Sequence, residues 1–331
     1  MLQKTISVII PVYNGGEAFY KCLTSLKDSH SKPLEVIVIA DGDTDGSGEL
    51  AAEFGAKVLR NETSQGPAAA RNKGAAIAKG DILFFIDADV TIYPDTLEKV
   101  AAVFTSEPDL AALIGSYDDE PGAPNFLSQY RNLFHHYNHQ IGKEEASTFW
   151  GACGGIKREI FFKIGGFDEN YRRPCIEDIE LGYRLKASGY SIRLCKEIHV
   201  KHLKHWTPYS MLRADVFYRA LPWTELIHRQ GYLPNDLNLQ WSSRLSVLLV
   251  YGLLALLIQA IWTPSVLTIT VLIILALLSL NASVYRFFLE KRGVLFTIRS
   301  LPWHWFYYFY SGASFAIGTI RYWLRQKLKQ A

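Results

Sequence analysis

The sequence predicts an α/β fold: a mostly parallel sheet with helices on both faces, followed by transmembrane and interfacial helices. Three observations carry this expectation. Short apolar, β-branched runs alternate with helix-like segments from Ile6 to Gly115. Residues before 240 carry mixed charge throughout, whereas Leu245 to Tyr285 contains no Asp, Glu, Lys or Arg. A second uncharged stretch runs from Ser300 to Ile320. A chain of 331 residues, 49% hydrophobic, is long enough for one large α/β domain and a further membrane part. Its mean hydropathy of +0.04 is high for a purely soluble enzyme.

Taken in order, Ile6–Tyr13 is a buried strand ending at the turn signal Asn14-Gly15-Gly16. Ala18–Leu26 has helical spacing, and Leu34–Ala40 is a second strand closed by Asp41-Gly42. Ser47–Phe54 reads as helix and Lys57–Arg60 as a short third strand. Gly66–Lys79 is an Ala-rich helix with Pro67 in its first turn, where a missing N–H costs nothing. Ile82–Ile86 is the fourth strand, Pro94–Phe104 a helix and Ala111–Gly115 a fifth strand. Such alternation buries both sheet faces, and ligands then bind outside the carboxyl ends of the strands. Asn14, Asp41 and Asp87 all fall just past strand ends.

Phe126–Trp206 is rich in aromatics and histidines, with Gly-rich turns at Gly151–Gly155 and Gly165-Gly166, and Ile176–Ala187 reads as a helix with acids near its start. Tyr209–Ala220 and Trp223–His228 mix apolar and basic residues, as amphipathic interfacial helices do. Leu245–Trp262 and Pro264–Tyr285 each approach the ~20 residues that span a bilayer, separated at Thr263-Pro264. Pro302–Ile320 is a third membrane segment of uncertain character, with an aromatic belt from Trp303 to Tyr310. The loop holding Arg286, Lys291, Arg292 and Arg299 is expected in the cytoplasm. Three full spans would leave the basic tail (Arg321, Arg325, Lys327, Lys329) outside, so two spans are favoured. The expected organisation is a catalytic domain at 1–205, divided at 115/116, an interfacial segment at 206–241 and a membrane region at 242–331.

Composition limits the function. A net charge of +3 is too mild for nucleic-acid binding. The four cysteines, Cys22, Cys153, Cys175 and Cys195, show neither metal spacing nor a paired framework, as expected of reduced cytosolic thiols. Met1-Leu2-Gln3-Lys4 leads directly into the first strand with no secretory signal. The expectation is a multi-pass cell-membrane protein with its catalytic domain in the cytoplasm.

Asp87-Ala88-Asp89 ends an apolar strand, where two carboxylates can share a divalent cation, or one can hold metal while the other meets a ribose. Mg²⁺ and Mn²⁺ favour oxygen ligands and keep positions open for phosphate. An isolated Asp-x-Asp is most often a solvated turn. Here it stands in an ordered set with Pro11-Val12-Tyr13-Asn14, Ala40-Asp41-Gly42 and Gly66-Pro67-Ala68-Ala69-Ala70-Arg71-Asn72. Glu177-Asp178 opens a helix shortly after Gly165-Gly166-Phe167-Asp168-Glu169.

In these motifs, from about Ser7 to His205, the chain resembles glycosyltransferase family 2, whose members are inverting enzymes with the Rossmann-like GT-A fold. The resemblance implies transfer of a sugar from a nucleotide-diphospho-sugar donor, with Pro11, Tyr13, Asn14, Asp41, Arg71 and Asp87 on the nucleotide-sugar side. It implies a divalent metal, Mg²⁺ or Mn²⁺, on Asp89. Asp178 would be the base that takes the acceptor proton, supported by Glu177, and Trp150 and Gly151 would meet the acceptor. Ala40 stands where the family often has a first acid, which leaves Asp41 alone at that site. His199, His202 and His205 follow at three-residue spacing; one of them could join the metal or bind diphosphate, although solvated or interfacial histidines are more frequent, and with Lys201, Lys204 and Arg213 they form a basic patch suited to a lipid phosphate or acidic headgroups. The membrane segments imply a membrane-associated acceptor, a lipid-linked sugar or polyprenyl phosphate. A processive polysaccharide synthase would need more spans. An NAD-dependent Rossmann oxidoreductase would need a Gly-x-Gly-x-x-Gly turn that Pro11–Gly16 does not supply. A non-catalytic membrane scaffold would leave the successive acids unexplained.

Overall fold

The computed structural model describes residues 4–330, with side chains described through 328. The opening Met1-Leu2-Gln3 and the Lys329 side chain lie outside the described residues. The chain divides into two compact units, Met1–Trp206 and Thr207–Ala331.

In the first unit β1 (Ile6–Val12) lies parallel between β2 (Glu35–Asp41) and β4 (Ile82–Ile86), and β3 (Lys57–Asn61) extends the block beyond β2. The crossovers are α1 (Gly16–Lys27), α2 (Ser47–Glu53) and α3 (Pro67–Ile77). β1 is a continuous apolar run because both of its faces are covered. Val8, Ile10 and Val12 pack with Phe19 and Leu23 of α1, while Ile9 packs on the other face with Ala68 and Ala75 of α3. Gly74 lets α3 approach closely, since a Cβ there would sit 2.6–2.7 Å from Ile39 and Ile9 side-chain carbons.

The second half of the sheet is mixed, which local patterning does not anticipate. β5 (Val90–Ile92) follows β4 at once, and α4 (Thr96–Ser106) leads into β6 (Ala112–Tyr117). Next come α5 (Phe126–Ile141), β7 (Cys153–Lys157), α6 (Arg158–Lys163), α7 (Glu177–Ala187) and β8 (Ile192–His202). β7 runs antiparallel to both β4 and β6; β8 is parallel to β6 and antiparallel to β5. The strand order is β3-β2-β1-β4-β7-β6-β8-β5. The expected parallel block is present, but the antiparallel β7 makes the whole sheet mixed.

The second unit is helical. α8 (Pro208–Arg213), capped by Thr207, passes through a π-helical stretch, Ala214–Ala220, into α9 (Leu221–Gln230). α10 (Trp241–Gln259) is followed by α11 (Leu267–Leu280) and α12 (Ala282–Gln330). Among the described residues α10 is the one unbroken helix long and apolar enough to cross a membrane. The expected second span, Pro264–Tyr285, is not continuous. It breaks at Asn281, whose side chain donates to Ser246 Oγ (3.0 Å) and the Leu277 carbonyl (2.9 Å), and the two halves bend by 64°. Pro302–Ile320 lies within α12, which is itself interrupted at Gly293 (φ 77°, ψ −177°). Arg286, Lys291, Arg292 and Arg299 therefore stand on helix and not in a loop. Large apolar side chains such as Leu248, Ile258, Leu272 and Leu275 face outward, while Ser246, Asn281 and Tyr308 are buried and bonded to one another. That is the reverse of a water-facing helical bundle.

Candidate active site

The sheet topology assembles the site. Because β4 pairs with β7 with Ile86 opposite Cys153, the Trp150-Gly151-Ala152 segment before β7 lies beside Asp87. α7 closes onto the same segment: a Cβ on Gly182 would strike the Phe149 nitrogen at 2.2 Å, so the glycine permits the approach. Arg71, on the second turn of α3, completes the junction. Only 4% exposed, it donates through Nη2 to Asp87 Oδ1 (2.7 Å) and through Nη1 to Glu177 Oε1 (2.8 Å). Its guanidinium lies over the Phe167 ring (5.4 Å), and its charged form is favoured because Asp87, Glu177 and Asp178 outweigh the burial that opposes it. Glu177 is held a second time by the Cys175 N–H (2.9 Å). Asn72 ties α3 to Phe167 by donating to its carbonyl (2.8 Å) and accepting from its N–H (2.9 Å).

Asp178 is next to this bridge. The Gly151 N–H donates to its Oδ2 (3.0 Å) and the Ile179 N–H to its Oδ1 (2.8 Å). Burial, and then the negative charge of Glu177, push its carboxyl up to about 6 against those bonds and the Arg71 charge. A carboxylate fixed in place and titrating near neutrality is suited to accept a proton.

Asp89 takes the other end. Val90 opposes His202 in the β5–β8 register, which sets His202 Nε2 3.7 Å from Asp89 Oδ2; Lys204 Nζ is 3.8 Å from the same oxygen. Burial would raise the Asp89 carboxyl, but the His202 and Lys204 charges overcome it and hold it at about 2. His202 is stacked face to face on Tyr117 (4.4 Å, 7°). The sequence offers His199, His202 and His205 alike as partners for a metal or diphosphate; what singles out His202 is its nearness to Asp89, which depends on a three-residue strand. His199, by contrast, neighbours His136 and Gln140. Among the described residues no group of three or more His, Cys, Asp or Glu is arranged to hold a metal ion. An Asp oxygen and an imidazole nitrogen do fit a Mn²⁺ or Mg²⁺ whose other positions go to phosphate and water.

The remaining candidates have distinct surroundings. Tyr13 projects into solvent, 61% exposed, just beyond Pro11 in β1. Asn14 adopts positive φ (52°) and accepts from the Thr44 N–H (2.8 Å), joining the loop after β1 to that after β2. Asp41 is buried and accepts from Asn61 Nδ2 (2.6 Å), Ser64 Oγ (2.8 Å) and the N–H groups of Gln65 (2.9 Å) and Gly66 (2.9 Å). It thereby fixes the 61–66 loop that opens α3. Trp150 is half-buried against Tyr117, His135 and His139, with ring centroids 4.7–5.2 Å apart.

Residues 7–165 match the family model for glycosyl transferase family 2, and residues 131–206 one described as the N-terminal domain of galactosyltransferase. An uncharacterized glycosyltransferase of Haemophilus influenzae is 32% identical over 190 residues, 54% of this chain and 61% of that protein. A glucosyl-dolichyl phosphate glucuronosyltransferase of Haloferax volcanii is 26% identical over 184 residues, 51% of this chain and 57% of that one. The chain thus spans less than two thirds of these relatives' length. A mannosyltransferase from Pyrobaculum calidifontis, solved with GDP-Man and Mn²⁺, superposes with a TM-score of 0.58 over 97% of this chain and 88% of that one, at 17% identity. The fold is therefore of the GT-A type. The N-terminal stretch, residues 7–165, is similar to glycosyltransferase family 2.

Proposed function

We propose that the protein transfers a sugar from a nucleotide-diphospho-sugar to a membrane-associated, lipid-linked acceptor, with inversion at the anomeric carbon. The observation that carries this reading is the Arg71 bridge. One buried guanidinium joins Asp87 of the donor motif to Glu177, whose neighbour Asp178 is the carboxylate placed to take a proton. Pro11, Tyr13, Asn14 and Asp41 form the nucleotide wall, and Trp150 and Gly151 the acceptor side. Asp178 accepts the proton of the acceptor hydroxyl as its oxygen attacks the anomeric carbon. The bond from that carbon to the β-phosphate oxygen breaks on the opposite face, and the electron pair leaves with the nucleoside diphosphate. Asp89 with His202 would hold a divalent cation, Mg²⁺ or Mn²⁺, which supplies neutralisation of the diphosphate charge. The Pyrobaculum mannosyltransferase bound to GDP-Man and Mn²⁺ supports the donor class and metal, and the dolichyl-phosphate relative supports the acceptor class.

The outward apolar face of α10 and α11 supports a membrane location. In this reading α10 crosses the membrane, and the bent α11–α12 pair forms a second, broken span. The full chain in detergent, offered a panel of nucleotide sugars and membrane lipid extract with Mn²⁺, should release nucleoside diphosphate and label a lipid. Failure with every donor, or full transfer by Asp178→Asn, would sink the proposal. Release from membranes by alkaline carbonate would refute the membrane location.

A further inference from the structure

The basic patch seen in the sequence divides in the structure. Lys201 pairs with Asp118 (3.1 Å) and donates to the Glu120 carbonyl. Lys204 turns instead toward Asp89, and its ammonium rests on the Trp206 ring, 5.0 Å from the centroid. The Arg131 guanidinium approaches the same ring at 5.5 Å. Trp206 is fixed at the start of α5: its N–H donates to Ser128 Oγ (2.7 Å) and its carbonyl accepts from Asn125 Nδ2 (2.9 Å). One indole, anchored at both backbone groups, therefore carries two cations, of which Lys204 also reaches toward Asp89. At 3.8 Å, Lys204 and Asp89 are too far apart for a direct hydrogen bond, so the ammonium keeps donors for another partner.

We infer that Lys204, seated on Trp206 with Arg131 beyond it, binds a phosphate oxyanion, namely the β-phosphate of the donor and of the departing nucleoside diphosphate. This rests on the nucleotide-sugar reading above and adds a residue to it. When the bond from the anomeric carbon to the β-phosphate oxygen breaks, that phosphate gains negative charge, and a preorganised cation stabilises it most at that moment. Lys204 is a binding residue for the leaving group and takes no proton.

The test is calorimetric titration of the full-length chain with the nucleoside, its monophosphate and its diphosphate, with saturating Mn²⁺ and again in chelator. Lys204→Met should weaken the diphosphate by about tenfold or more, with the nucleoside and monophosphate unchanged, and Lys204→Arg should recover part of the loss. The loss should persist in chelator, which separates it from any effect on metal held by Asp89. An unchanged diphosphate-to-monophosphate ratio in Lys204→Met overturns the inference. So does a variant with normal nucleotide binding whose KM rises only for a phosphate-bearing acceptor, because the phosphate would then be the acceptor's. If the wild-type chain binds no nucleotide, the proposed function falls together with the inference; if it does bind, only the Lys204 assignment is at stake.

Discussion

Arg71 and Glu177, 106 positions apart in the chain, form a buried ion pair at 2.8 Å, and the same guanidinium holds Asp87 at 2.7 Å. Desolvating a charge is costly unless its partner and hydrogen bonds are complete. Arg71→Ala would leave Glu177 buried and uncompensated, an expected loss of about 3–5 kcal/mol in thermal or urea unfolding. Arg71→Lys keeps the charge but cannot reach two carboxylates with a planar fork. It should fold better than the alanine variant and still lose most transfer activity. A lysine variant with wild-type kcat/KM would show that the bridge does not matter to the reaction.

In the proposed reaction Asp178, as the base, would set the pH dependence. A base works deprotonated, and this carboxyl is raised from 3.8 to about 6 by burial and by Glu177. kcat/KM should therefore be level above pH 7 and fall about tenfold per unit below 6. Asp178→Asn should lower the rate by roughly 10²–10⁴-fold and abolish that limb. The stability sign is opposite. A carboxyl with a raised folded-state pKa destabilises the folded state increasingly as pH rises from about 4 to about 6, and the penalty stays constant above. The melting temperature of Asp178→Asn at pH 7.5 should accordingly not fall, and a large drop would point to a structural role.

Two glycines mark contacts between loops that form the site. Gly66 has φ 93° and ψ 164°, and a Cβ there would lie 2.5 Å from the Arg172 carbonyl oxygen. Gly66→Ala combines a backbone strain of ~1–3 kcal/mol with this collision. It should lower the melting temperature and displace the 170–175 loop that leads to Glu177. Gly151→Ala is milder, with its Cβ 3.0 Å from the Arg71 guanidinium. Overpacking costs of ~1–3 kcal/mol predict a smaller fall in melting temperature, with activity lost because Arg71 is pinned at both ends.

The parallel half of the fold is legible in the sequence because each strand is a short run buried on both faces, with a turn signal behind it; for Ile82–Ile86 the two agree to the residue. The mixed half is not legible in the same way. Val90–Ile92 is three residues long and pairs with a strand more than a hundred positions away, so no local pattern announces it. That pairing is what gives Asp89 its neighbours His202 and Lys204. The apolar stretch after Pro264 reads as one span because composition is blind to a break at Asn281, where a side chain reaches across to Ser246. Asp87, Arg71 and Glu177-Asp178 are visible as ordered motifs, whereas the bridge that joins them depends on β7 lying antiparallel beside β4.

Asp41 carries the last expectation. Its carboxylate accepts from two side chains and from the Gln65 and Gly66 N–H groups, so it supports the loop that opens α3, and in the proposed function it also belongs to the nucleotide wall. Asp41→Ala would strand the two buried donors among those groups, Asn61 Nδ2 and the Gly66 N–H, at about 1–3 kcal/mol for each left unsatisfied. Asp41→Asn keeps one acceptor oxygen but turns the other into a donor facing donors. Both variants should speed amide hydrogen exchange at residues 64–66 and raise the KM for the donor sugar, with the acceptor KM little changed. Faster exchange with an unaltered donor KM would confine Asp41 to the loop. An altered donor KM with unaltered exchange would make it a nucleotide contact and remove the structural role argued from its hydrogen bonds.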